Sequence, residues 1–107
     1  MTIENPSIID AIGMNEKTGH VCLSIFNHLS WSEHSLRLLQ DKINRYLGFI
    51  EHGEIEEAYP QAIGHPIAID VYCKFEPTEQ ALRFFQLAQT VAEEYGAKFG
   101  FEHYPKS

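Results

Sequence analysis

Two periods alternate along this chain, and the switches between them mark its elements. Residues 7–14 read as a first strand and 20–28 as a second, with Val21, Leu23 and Ile25 on one side and Cys22, Ser24 and Phe26 on the other. Asn15-Glu-Lys-Thr-Gly19 between them is a turn, with Gly19 suited to a positive φ. Two such runs joined by a short glycine-containing loop predict an antiparallel hairpin. Residues 67–75 form a third, strongly apolar strand, and 97–101 resume the extended pattern as a fourth.

Between the second and third strands the apolar step lengthens to three and four residues. Leu36, Leu39, Ile43, Tyr46, Leu47 and Ile50 then form the buried stripe of a helix, and Arg37, Asp41 and Arg45 its solvated charge ladder. Ser30-Trp-Ser-Glu33 matches a capping box, with Ser32 a competing cap, and Gly53 ends the helix. Residues 54–59 suit one or two further helical turns, which Pro60 ends or redirects. Pro77 suits the first turn of a second long helix. Ala81, Phe85, Ala88, Val91, Ala92 and Tyr95 line its buried face, and Gly96 stops it.

The order is β-β-α-β-α-β within one compact domain spanning residues 1–107. Amphipathic helices bury their stripe against a sheet, which predicts a two-layer α/β sandwich of the α+β type. In it, two helices pack on one face of a four-stranded mixed sheet, and the crossover is right-handed. Strand order is not legible. The more polar side of each strand carries Asp10 with Ile12, Ser24 with Phe26, Asp70 with Tyr72, and Lys98 with Glu102.

Composition narrows the partners. Eight basic residues face fifteen acidic ones, a formal charge of −7, and the basic ones never cluster. That excludes nucleic acid, whose binders depend on Lys and Arg, and disfavours anionic membranes. It permits a protein partner with a basic surface. The amino terminus lacks the basic start and apolar core of a signal peptide. No apolar run approaches the ~20 residues that span a bilayer, so a cytoplasmic setting is expected, with Cys22 and Cys73 as reduced thiols packed in strands.

Candidate chemistry is sparse. Asp10 and Asp70 sit in otherwise apolar strands, where a carboxylate is costly to bury unless paired. If the two met, one would be held protonated for acid-base work; if not, each faces water on the open side of the sheet. The six histidines show no metal-ligand spacing, so no metal is expected. No nucleophile elbow, Walker loop or Gly-x-Gly-x-x-Gly occurs, and no cofactor is expected. Trp31, Tyr59, Tyr72 and Tyr104 are large aromatics in positions that serve either packing or an interface.

Asn5-Pro6, Ile9-Asp10-Ala11-Ile12-Gly13, His28-Leu29-Ser-Trp31, Gly53-Glu54, Tyr59-Pro60, Ile69-Asp70-Val71 and Pro77 together resemble the family of unknown function DUF6572, over nearly the whole chain. The resemblance implies a small bacterial single-domain protein, and it brings no activity, cofactor or catalytic residue with it.

The leading expectation is a non-catalytic cytoplasmic interaction module, immunity-like or regulatory, with Asp10, His28, Trp31, Tyr59, Asp70 and Tyr72 as candidate binding residues. The competing expectation is a small enzyme or small-molecule binder using Asp10, His28 and Asp70 in one cleft. A homodimer through the open sheet face or an edge strand is a third.

Overall fold

The computed structural model describes residues 11–104. The chain runs β1 (Ala11–Asn15), β2 (His20–Asn27), α1 (Glu33–Glu51), α2 (Glu54–Ala58), a 3-10 turn (Pro60–Ala62), β3 (Ile67–Cys73), α3 (Glu79–Glu94) and β4 (Ala97–His103). It is an α+β fold with a four-stranded mixed sheet and three helices, two of them long. The start of the expected first strand, Asp10 included, lies outside the described residues.

The hairpin forms as the pattern predicts. β1 and β2 pair antiparallel with Asn15 opposite His20. The Gly19 amide donates to the Asn15 carbonyl at 2.7 Å, and Gly19 takes a φ of 76°, a conformation that glycine alone adopts at no steric cost. β2–β3 and β3–β4 pair parallel, and parallel neighbours require crossover connections. Here helices supply them, and the strands lie side by side in chain order, β1-β2-β3-β4.

Alternation along the strands decides what is buried. Val21, Leu23 and Ile25 of β2 and Ile69, Val71 and Cys73 of β3 have no exposed surface. They share one core with Leu39, Ile43 and Leu47 of α1 and with Ala81, Phe85 and Ala88 of α3. Phe85 centres an aromatic cluster, stacked on Phe101 at 4.4 Å and meeting Trp31 edge-on at 5.8 Å. Tyr46 is buried, and its hydroxyl donates to the Ser24 carbonyl at 2.8 Å, a tie of about 1 kcal/mol between helix and sheet. One turn earlier Lys42 is also fully buried, its ammonium 5.9 Å from the Tyr46 ring centre. A lysine there breaks the apolar stripe that spacing alone predicts.

Several sequence-based boundaries shift. The cap of α1 is Ser32 rather than Ser30: its hydroxyl accepts from the Ser35 amide at 3.1 Å, while Ser35 Oγ accepts from the Ser32 amide at 2.9 Å. Thr78 caps α3, so Pro77 precedes the helix instead of opening it. Val91 and Tyr95 are exposed. The buried residues of α3 are Ala81, Phe85, Ala88 and Ala92, a narrow and mostly alanine stripe. Ile12 opposes Leu23 and packs against the core. Directly paired residues share a face, so Ile12 belongs to the core row and not to the polar one. No helix among the described residues is long and apolar enough to cross a membrane.

Candidate functional site

The side chains that alternate with the core on β2, β3 and β4 line up in three cross-strand rows. The register sets Cys22 beside Ala68 and Lys98, Ser24 beside Asp70 and Gly100, and Phe26 beside Tyr72 and Glu102. Two of these positions are nearly empty. Ala68 carries only a methyl, and Gly100 has no side chain, so the Asp70 carboxylate lies close over it; a Cβ on Gly100 would stand 3.5 Å from Asp70 Oδ1. The sheet surface therefore dips into a shallow depression of about 250 Å³, walled by His20, Cys22, Asp70 and Lys98.

Burial dominates the electrostatics of that depression. It pushes the half-buried Asp70 carboxyl above the usual carboxylate range; the neighbouring Cys22 thiol pulls the other way, Glu102 adds to the rise and His20 opposes it. Burial also raises the Cys22 thiol, helped by the Asp70 charge. Cys73, inside the core, is pushed up to about 11 by burial. A nucleophilic cysteine needs the opposite setting, one that stabilises thiolate. Both thiols are held in the protonated form, and Cys22 Sγ donates to the His20 carbonyl at 3.9 Å. The two sulfurs lie on opposite faces of the sheet, since Cys22 pairs with Ala68 while Cys73 pairs with Asn27 on the core row.

The raised Asp70 pKa carries a signed consequence for stability. Ionising this group is harder in the folded chain than in the unfolded one, so folding loses stability as pH rises from the unfolded value through the folded value. Below the unfolded value, ~3.9, the penalty is absent. Asp70→Asn, which cannot ionise, is expected to unfold at a higher urea concentration than wild type at pH 7. The gap should close near pH 3. A gap of the same size at both pH values would assign it to packing instead.

Next to the depression the face turns aromatic. Phe26 and Tyr72 are cross-strand partners and stack with centroids 5.6 Å apart, and Tyr104 meets Tyr72 edge-on at 6.4 Å. Phe26 is 45% exposed and Tyr104 53%, so the cluster is open to solvent. The Tyr72 hydroxyl is raised by burial and then by the neighbouring Asp70 and Glu102 carboxylates; Glu102 is its cross-strand partner and Asp70 lies two residues along the same strand.

The sequence-predicted candidates separate on this frame. Asp70 and Tyr72 share the face just described. His28 is exposed beyond the end of β2, four residues past Ser24, the register partner of Asp70, or roughly 13 Å along an extended chain. Trp31 donates its indole N–H to the Phe75 carbonyl at 3.1 Å and packs on Phe85, which makes it a roof over the core. Tyr59 is half-buried at the end of α2 and also packs on the core. Asp10 lies outside the described residues. The depression beside Asp70 is not lined by His28. Phe26, Cys22 and Glu102 are the neighbours that sequence reading left out of the site; Phe26 and Glu102 were legible as members of the polar rows but not as neighbours of Tyr72. Among the described residues, no three His, Cys, Asp or Glu side chains gather as metal ligands.

Neither a curated protein nor a solved structure matches the chain. The family of unknown function DUF6572 matches residues 1–105, and this chain belongs to that family.

Proposed function

We propose that this protein is a non-catalytic interaction module that binds a second protein through a basic surface, with Tyr72 at the centre of the contact. The reading takes α1 and α3 as one layer on a single side of the sheet. Parallel strands in chain order, joined by right-handed crossovers, send both helices to the same side and leave the Tyr72 side as the free face of a two-layer sandwich.

The observation that carries the proposal is the setting of Tyr72, an aromatic ring stacked on Phe26 and flanked by Asp70 and Glu102. An arginine from a partner fits that setting twice over. Its planar cation stacks on the ring, while its forked donors meet a carboxylate. The formal charge of −7 adds long-range attraction for a basic partner. A regulatory or immunity-like role follows naturally, because covering a basic surface is itself an action and needs no chemistry.

The test is capture by the immobilised protein from cells that produce it. One basic protein is expected in near-equimolar yield, released as salt rises from about 50 to 500 mM, since screening weakens charge contacts. Recovery of the protein alone, or of an acidic partner indifferent to salt, would overturn the reading.

A further inference from the structure

β4 is an edge strand, and its outer side has the features of a two-fold interface. The Tyr104 amide donates to the Cys73 carbonyl on β3. Backbone groups alternate sides along a strand, so Ala97, Phe99, Phe101 and His103 turn their N–H and C=O groups outward, away from β3. Edge strands with such free groups are templates for pairing with another chain.

We propose that β4 pairs antiparallel with β4 of a second copy about a two-fold axis at Gly100, joining two sheets into one. Backbone parity admits this register: it sets Phe99 opposite Phe101 of the second copy, both with outward-facing backbone groups, which form hydrogen-bonded pairs. Charge selects it among the registers parity allows. Centred on Gly100, Lys98 lies opposite Glu102 of the second copy and Glu102 opposite its Lys98. These are non-hydrogen-bonded pairs, where side chains approach most closely. Moving the axis to Phe99 sets Lys98 opposite glycine, and moving it to Phe101 sets Glu102 opposite glycine; either shift loses both charge pairs. Gly100 on the axis puts no side chain between the copies.

The apolar side of the strand agrees. Phe101 is 44% exposed although its ring stacks on Phe85. Beside it, a cleft of about 370 Å³ runs between α3 and β4, lined by Leu82, Gln86 and Phe99 among others. Pairing lays the second copy's Phe99 against Phe101 and covers that opening. Phe26, Tyr72 and Asp70 stay outside the pairing, so the edge contact and the proposed partner contact are separable; Glu102 and Lys98 border both.

The experiment is sedimentation of the purified chain from about 1 to 200 μM. Wild type is expected to pass from monomer to dimer. Lys98→Glu alone sets two like-charge pairs in place of two attractive ones and is expected to weaken dimerisation about tenfold or more. Glu102→Lys should do the same, and the double reversal Lys98→Glu with Glu102→Lys should restore the dimer to within about threefold of wild type. Both side chains are exposed, and circular dichroism should show the same fold in every variant. A wild type monomeric throughout, a dimer unmoved by either single reversal, or a double reversal that stays dissociated would each overturn the pairing. Tyr72→Ala is expected to leave the dimer intact, which separates failure here from failure of the partner contact.

Discussion

Phe85→Ala is expected to remove about 3–5 kcal/mol of folding stability, the range for deleting a buried aromatic ring. Phe85 is 2% exposed, and its ring joins α3 to two other parts of the fold: Trp31 ahead of α1, and Phe99 and Phe101 of β4. Alanine leaves those rings facing a void that stiff neighbours cannot close, so the loss combines transfer and cavity terms. Small domains hold about 5–15 kcal/mol in total, so the variant keeps little reserve. Phe85→Leu retains most of the volume and should cost less than about 1.5 kcal/mol. Urea unfolding with an unchanged m-value is the measurement. A loss below about 1 kcal/mol for alanine would show that the ring does not bridge helix and sheet.

The second large effect concerns binding. Tyr72→Ala is expected to weaken the affinity of the proposed basic partner roughly a hundredfold, about 2–3 kcal/mol, as for a central interface aromatic. The fold itself should lose only about 1 kcal/mol, from the stack with Phe26 and the edge contact with Tyr104. Tyr72→Phe keeps the ring and should keep most of the affinity. Leu87→Ala is the control, because Leu87 is 69% exposed on α3 and away from the aromatic strip. Calorimetric titration of the captured partner reads all three. If Leu87→Ala costs as much as Tyr72→Ala, the contact lies on the helices and the sheet-face assignment fails.

The sequence made the elements legible because period is a local property. Val21, Leu23 and Ile25 declared β2, and Leu39, Ile43 and Leu47 declared α1, before any tertiary contact was known. What it withheld depends on partners. Ser30 and Ser32 are equally good caps in isolation, and only the reciprocal bonds with Ser35 choose between them. Val91 and Tyr95 fit the helical stripe of α3, yet both are exposed, because the width of the buried stripe is set by the neighbours that cover it and not by the period. Lys42 and Phe49 gave no sign of burial. The site divides in the same way. Alternation put Asp70 and Tyr72 on the polar row, but the stack with Phe26 needs the β2–β3 register, and strand order could not be read from the pattern. Trp31 was open to either packing or interface, and its indole bond to Phe75 places it on the core.

Sheet order that repeats chain order also bears on how the molecule assembles. Each parallel ladder joins strands that are neighbours in chain order but far apart along the chain, Val21 with Ile67 and Ile67 with Ala97, and non-local parallel pairing of that kind slows folding. The β3-α3-β4 segment closes on itself without waiting for distant chain. β2 then docks across the longest closure, whose entropic cost grows by only about 0.6 kcal/mol per doubling of length. The nucleus can thus grow strand by strand toward the hairpin, with no stage that requires the two ends of the chain to find each other.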